Sequence, residues 1–120
     1  MGLDQNLFLC KKQSKNGVKG DNIIIDKYFR RNHELHEAVE AICLDGESTN
    51  VEFILITKED WKKICKRLEK TEQSIKHYLE YTGQDEDWVI ENLEEFETTK
   101  KELETMEEFE NGVIYYYSWW

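Results

Sequence analysis

The chain has 120 residues, of which 39% are apolar and 35% charged, and its formal net charge is −10. This length fits one domain with one core, and the 15 aromatic residues are enough to fill it, so the composition argues against a disordered chain. The longest apolar runs, residues 23–25 and 53–56, are far shorter than the roughly 20 residues that span a bilayer. The composition therefore excludes a membrane-spanning protein.

The N-terminal sequence and the cysteine content indicate the cellular compartment. Met1-Gly2-Leu3-Asp4 has no basic region followed by an apolar stretch, so no secretory signal is predicted. Cys10, Cys43 and Cys65 are widely spaced, odd in number and without a CxxC pair, which favours free thiols in a reducing compartment. We expect a soluble protein, and a bacterial or host-cell cytoplasm fits best.

The first third of the chain predicts a β-hairpin. Residues 3–10 form a first strand, and residues 22–29 form a second strand that is β-branched at its start. The connection, residues 11–21, contains four lysines and two glycines and is expected to be a turn or loop.

A helix, a strand and two further helices follow. Asn32 is a good N-cap for a helix with one apolar face, made of Leu35, Ala38, Val39 and Ile42. Residues 50–56 predict a third strand. Thr57 with Asp60 resembles a capping box, which opens a helix with Trp61, Ile64, Cys65 and Leu68 on its inner face. Residues 71–81 predict a separate helix, ended by Thr82-Gly83.

The last third predicts a long acidic helix and a strand. Residues 85–108 carry the longest helical pattern, with an apolar stripe at Val89, Leu93, Phe96, Leu103 and Met106. Residues 112–120 are apolar on both faces, as in a strand at the centre of a sheet or one covered by a partner. The prediction is a single α+β domain over residues 1–120. It has a mixed or antiparallel sheet of about four strands, packed by three to four helices.

The negative charge is confined to one region. Residues 85–110 contain twelve acidic residues and two lysines, a net of −10, whereas residues 1–83 are neutral overall. We expect a partner-binding acidic ridge on the helix, at Glu91, Glu94, Glu95 and Glu102. Such a ridge would speed association with a basic protein surface that normally binds nucleic acid. The alternative is a solvated helix face that keeps the protein soluble. Direct nucleic-acid binding is not expected, since this field repels phosphate.

Candidate small-molecule chemistry is limited. No catalytic residue, metal site or cofactor is predicted, because His33 and His36 lack zincin spacing and no serine or glycine motif is present. A binding pocket is an alternative, formed by Tyr28, Arg30, Arg31, His36, Trp119 and Trp120. The aromatic tail, residues 115–120, could instead fill the core or form the seam of a homodimer.

Three separated pieces resemble one family. They are Met1-Gly2-Leu3-Asp4, the segment 28–36 (YFRRNHELH) and the segment 115–120 (YYYSWW). The family comprises small phage- and prophage-encoded proteins without an assigned activity, which begin MGLD, carry a segment like YWRKANxIH and end in tyrosines followed by SSW or SWW. Arg30, Arg31, Leu35 and His36 fall in register with that segment, Arg31 and Leu35 standing for its Lys and Ile.

The chain also departs from that family. Phe29, Asn32 and His33 replace its Trp, Ala and Asn, and residues 82–87 (TGQDED) stand where a loop rich in glycine and phenylalanine is expected. The resemblance covers about a third of the chain. It implies a phage or prophage protein that acts in a bacterial cytoplasm, and by analogy an anti-CRISPR or other anti-defence inhibitor of host nucleic-acid machinery. A self-associating structural phage protein is the remaining alternative.

Overall fold

The structure is a computed structural model that describes residues 2–15, 17–83 and 87–120. Four strands and three α-helices follow in the order β1, β2, α1, β3, α2, α3 and β4. Their bounds are β1 Asp4–Cys10, β2 Ile23–Arg30, α1 His33–Cys43, β3 Phe53–Ile56, α2 Lys58–Thr82, α3 Asp87–Glu104 and β4 Val113–Trp119. Short 3₁₀ turns cover Gly20–Asn22 and Glu107–Phe109. The predicted α+β class and the four-stranded sheet are confirmed, and three helices fall within the predicted three to four.

The sheet is antiparallel throughout, with strand order β2-β1-β4-β3. The strand from the uncharged C-terminal segment lies inside the sheet, between β1 and β3, as its apolar pattern predicted. All three helices cover one face, where Leu7, Phe29, Ile54 and Tyr116 from the four strands join the buried core. Because side chains alternate along a strand, the neighbouring residues point to the opposite, open face.

The open face is aromatic. Phe8, Tyr28, Phe53, Tyr117 and Trp119 lie on it, and the Tyr28 and Trp119 ring centroids are 6.4 Å apart. The lysine-containing connection between β1 and β2 leans over one end of this face. The backbone nitrogen of Ser14 donates to the Tyr115 hydroxyl, and Gly17 packs against the Phe53 ring.

Local capping explains where the helices start. Asn32 Oδ1 accepts a hydrogen bond from the backbone nitrogen of Leu35 and so caps α1. Thr57 Oγ1 accepts from the backbone nitrogen of Asp60 and caps α2. Gly83 ends α2 in the left-handed conformation, with φ of 70°. These three boundaries agree with those predicted from the sequence.

Two predicted helices are one. The segments expected at 57–70 and 71–81 form the continuous 25-residue helix α2, because no glycine or proline interrupts residues 58–82. Thr71, the predicted start of the second segment, instead donates its hydroxyl proton to the carbonyl of Arg67 within the helix. This helix, and not the acidic one, is the longest in the described parts of the chain.

The acidic helix and the third strand are shorter than predicted. Helix α3 ends at Glu104, and Met106 is extended. Carboxylates at 104, 107 and 108 are unfavourable at the negative end of a helix dipole, which accounts for the early end. The predicted start at residue 85 lies outside the described residues. Strand β3 begins at Phe53 because Val51 has a positive φ of 58°.

In the described ranges of the chain, no helix combines the length and the apolar composition needed to cross a membrane.

Gly112 supports the turn into β4 by close backbone contact. A Cβ atom at this position would lie 2.8 Å from the Glu108 carbonyl oxygen and 2.9 Å from that of Cys10. We expect Gly112→Ala to lower the free energy of unfolding by about 1–3 kcal/mol, because backbone must shift to admit the methyl group. Gly20→Ala is the matched control, since a methyl group at that position would meet no atom within 4 Å. Urea denaturation of both variants measures the difference, and equal stabilities would contradict the packing described.

Candidate functional site

The four carboxylates predicted to bind a partner differ in their surroundings. Glu102 Oε2 lies 2.6 Å from Lys27 Nζ on β2, so the chain itself neutralises this acid. Burial raises the pKa of Glu95, and a hydrogen bond with Asn32 lowers it in part. Glu91 and Glu94 are exposed, and neither has a cation within 4 Å among the residues described. The open acidic surface is therefore Glu91, Glu94 and Glu95, without Glu102.

Lysines within the helix do little to offset this charge. Lys100 Nζ is 3.9 Å from Glu97 Oε1 and 4.0 Å from Glu104 Oε1, and Lys101 Nζ is 4.0 Å from Glu97 Oε1. Pairs this loose at a solvated surface contribute between about zero and 1 kcal/mol. The exposed side of α3 therefore stays negatively charged, because its acidic residues outnumber these two lysines.

Exposed aromatic side chains gather where α2 gives way to α3. Tyr78 is 46% exposed, Tyr81 88% and Trp88 58%. The two helices contact each other, and the chain from Thr82 to Asp87 can span at most about 18 Å, so the end of α2 and the start of α3 share one end of the pair. We call Tyr78, Tyr81, Trp88, Glu91, Glu94 and Glu95 the helical end.

Sequence reasoning did not single out Tyr81 or Trp88. Trp88 precedes Val89, the first residue of the buried stripe of α3, and so falls one position off the apolar face. Tyr81 lies in the last turn before the Gly83 cap. The sequence did hold one indication that these side chains are exposed: each is a large aromatic residue outside the apolar stripe and close to a helix end.

The residues of the predicted pocket lie on two sides of the sheet. Tyr28 and Trp119 are on the open face, where the Tyr28 hydroxyl donates to Asp4 Oδ1. His36 and Trp120 are on the helix side, with ring centroids 5.1 Å apart in an edge-to-face arrangement. Arg30 and Arg31 are exposed at the end of β2, and the guanidinium of Arg31 packs against Gly2. The structure brings together His36 with Trp120, and Tyr28 with Trp119.

Beside His36 is a polar cleft of about 380 Å³. It is lined by His33, His36, Glu37, Glu40, Thr49 and Trp120, among others. In the part of the chain that the structure describes, no three histidine, cysteine or acidic side chains are arranged to hold a metal ion. The cleft offers carboxylates and imidazoles to a small polar ligand, with Trp120 as an apolar wall.

A chain of buried hydrogen bonds, the polar chain, joins this cleft to the sheet. Gln5 Nε2 donates to the Tyr116 hydroxyl at 2.9 Å and to the carbonyl of Asn32 at 2.9 Å, and Gln5 Oε1 accepts from the Asn32 backbone nitrogen. The Tyr116 oxygen lies 2.6 Å from His36 Nδ1. His36 Nε2 is 3.0 Å from Glu40 Oε2, an ion-pair distance at a poor hydrogen-bond angle.

The two titratable groups of this hydrogen-bonded chain are buried. The Tyr116 oxygen accepts a hydrogen bond from Gln5, and the direction of its bond with His36 Nδ1 depends on the tautomer of the imidazole. Burial lowers the pKa of His36, and Glu40 offsets this only in part. Burial raises the pKa of Tyr116. Both groups are therefore neutral at pH 7, and the hydroxyl has no access to solvent for chemistry.

The three cysteines are free and poorly suited to nucleophilic chemistry. Burial raises the pKa of Cys43 and of Cys65 to about 12, and it also raises that of Cys10. A thiol, not a thiolate, is therefore the form present at neutral pH.

Comparisons with known proteins add no assignment: no family model, no curated protein and no solved structure matches the chain.

Removing the Tyr116 hydroxyl should destabilise the fold. Tyr116→Phe removes one of the two acceptors of Gln5 Nε2 and the buried partner of His36 Nδ1, and we expect a loss of about 1–3 kcal/mol in the free energy of unfolding. Tyr117→Phe is the control, since that half-buried hydroxyl has no hydrogen bond among the described residues. Its unfolding midpoint should stay near wild type. A Tyr116→Phe variant as stable as this control would rule out a stabilising role for the polar chain.

Stability should also fall on mild acidification. The folded pKa of His36 is lowered, so between that value and about 6.5 the unfolded chain binds the proton and the folded chain does not. The free energy of unfolding therefore decreases as pH falls below about 6.5. His36→Gln should lack this part of the slope. The raised pKa of Glu95 has the opposite effect: it increases the free energy of unfolding as the pH falls through the range in which that carboxyl group titrates.

Titration of the His36 imidazole by NMR measures the pKa directly. A midpoint at or above that of an exposed histidine would contradict a pKa lowered by burial, and with it the expected loss of stability on acidification.

Proposed function

We propose that the protein is an interaction module that binds a basic surface of a partner protein through its helical end. The observation that carries this proposal is the presence of exposed aromatic residues beside exposed carboxylates at one end of the α2–α3 pair. Tyr81 and Trp88 are 88% and 58% exposed, which is costly for a surface that only needs to be soluble. Tryptophan and tyrosine are the side chains most often found at the energetic centre of protein interfaces.

The negative charge of the helical end indicates that the partner surface is basic. Glu91 and Glu95 follow Trp88 at i+3 and i+7 and so lie on its side of α3, with Glu94 next to Glu91. Glu91 and Glu94 have no cation within 4 Å in the described regions. Carboxylates at the rim of an aromatic patch favour lysine- and arginine-rich surfaces and speed the encounter with them. A basic groove that normally holds nucleic acid has this composition.

The identity of the partner class rests on resemblance. The likeness to phage and prophage proteins supports a host protein as the partner, and inhibition of its nucleic-acid binding as the outcome. An anti-CRISPR or other anti-defence inhibitor is the form this would take, by occupation of the groove. The geometry supports the basic-surface part of this proposal, and the phage context depends on the sequence likeness alone.

Charge reversal tests the contact. The variant Glu91→Lys, Glu94→Lys, Glu95→Lys should reduce capture of basic nucleic-acid-binding proteins from nuclease-treated bacterial lysate by roughly ten-fold or more. Capture by the wild type should weaken steeply above about 0.15 M salt, where the Debye length is about 8 Å, and added DNA should compete. Trp88→Ala should weaken capture at all salt concentrations, since its contribution is apolar.

Two controls separate this surface from net charge. The variant Asp21→Lys, Glu47→Lys, Glu69→Lys makes the same change in charge at exposed acids elsewhere and should retain capture. Glu102→Gln should also retain it, because Lys27 already holds that carboxylate. Undiminished capture by the Glu91/Glu94/Glu95 variant would overturn the proposal.

A further inference from the structure

A basic cleft lies between α1 and α2, away from the helical end. It has a volume of about 550 Å³ and is lined by Lys63, Lys66, Arg67 and Lys70 along one side, with Ile42 and Ile75 among its apolar residues. The four cations are spaced i, i+3, i+4 and i+7, so they project from one face of α2 and extend over about 10 Å. A region of strong positive charge therefore exists on a chain of net charge −10.

Three of these cations have no carboxylate close to them in the described residues. Lys63 Nζ lies 3.7 Å from Glu59 Oε1, an exposed and loose pair. No acidic oxygen lies within 4 Å of Lys66, Arg67 or Lys70 in residues 2–15, 17–83 and 87–120. Like charges on adjacent turns repel, so this arrangement costs helix stability and an anionic occupant would relieve it.

The floor of the cleft is aliphatic. Ile42 of α1 and Ile75 of α2 pack against the core but stay half-buried, so apolar surface remains for another molecule to cover. Thr71 and Ser74 add hydroxyls at its edge. An occupant must therefore present apolar groups in the middle and negative charge along one side.

We propose that the basic cleft binds an acidic amphipathic helix of a partner protein. An apolar residue of that helix would cover Ile42 and Ile75, and carboxylates at i, i+4 and i+7 would meet Lys66, Arg67 and Lys70. Arg67 can hold one carboxylate through two parallel hydrogen bonds. This site is separate from the helical end, and it takes a partner of the opposite charge.

Nucleic acid and a second copy fit the cleft less well. None of the residues that line it is aromatic, so it offers no platform on which a base could stack, and the net charge of the chain repels a long polyanion. The acidic helix of a second copy has the right charge, but its apolar stripe is buried in its own core at Val89, Leu93 and Phe96. Of its apolar residues, Trp88 in the first turn is largely exposed, so a second copy is the competing occupant that the sedimentation measurement below tests.

The test uses a designed helical peptide of about 20 residues, with leucines on one stripe and glutamates beside them at i, i+4 and i+7. We expect the intact protein to bind it with a Kd of tens of micromolar, measured by calorimetry and fluorescence anisotropy. The variant Lys66→Glu, Arg67→Glu, Lys70→Glu should weaken binding by about ten-fold or more. Circular dichroism confirms that the variant folds.

The matched control is Lys11→Glu, Lys12→Glu, Lys15→Glu. It makes the same change in net charge in the exposed loop between β1 and β2, and should bind the peptide nearly as well as wild type. Ile75→Gln should weaken binding without changing its salt dependence, and a peptide with glutamine for glutamate should not bind. If the cleft and loop variants lost peptide affinity equally, net charge alone would explain the effect and the proposal would be overturned. The absence of binding near 1 mM peptide would overturn it as well.

Two further measurements decide between occupants. A single-stranded oligonucleotide that binds more tightly than the peptide and displaces it would replace the proposal with nucleic-acid binding. Concentration-dependent dimers in sedimentation, lost in the cleft variant, would replace it with self-association. The Glu91/Glu94/Glu95 variant should bind the peptide as well as wild type, so failure of the cleft proposal and failure of the proposed function are distinguishable.

Discussion

The hydrogen-bond chain through Tyr116 couples the sheet to the first helix. Its hydroxyl oxygen lies between Gln5 of β1 and His36 of α1, while Gln5 also bonds both backbone groups of Asn32, the residue that caps α1. The cap of the helix, the register of β1 against β4 and the position of the His36 ring are therefore fixed together. Buried polar groups of this kind specify one arrangement because any shift leaves several of them unpaired.

The segregation of charge follows from this packing. Tyr116 and its apolar neighbours in β4 occupy the helix side of the sheet, so α1, α2 and α3 are held against that one face and present their outer sides to solvent. The outer side of α2 carries the basic cleft, and α3 carries Glu91, Glu94 and Glu95. Only Lys27 with Glu102 joins a strand to the acidic helix by an ion pair in the described residues, which leaves two oppositely charged surfaces largely intact.

Periodicity and capping residues were sufficient to predict most of the fold. The hairpin, the Asn32 and Thr57 caps, the Gly83 boundary and the central position of β4 all depend on local rules, and each is confirmed. The continuity of α2 was harder to predict because Thr71 resembles a helix start, although no residue in 58–82 breaks a helix. The early end of α3 depends on the sum of several charges near a helix terminus, which a pattern of apolar residues does not record.

The candidate site was harder to predict because it depends on distance in space. Glu91 and Glu102 look equivalent along the sequence, but Lys27 reaches one of them from a strand 75 positions away. Tyr28 and His36 are close in sequence and yet lie on opposite sides of the sheet, since a strand directs one outward and a helix directs the other inward. The exposure of Tyr81 and Trp88 similarly required knowledge of which helix face was covered.

The unbroken α2 has a mechanical consequence. Arg67 and Tyr81 lie on the same helix, 14 residues and hence about 21 Å apart, and at about 100° per residue they project within roughly 40° of one another. The helix thus acts as a spacer of fixed length and phase. If both sites were occupied, the two ligands would be held side by side in one orientation. Inserting a single residue between them would swing one through about 100° relative to the other.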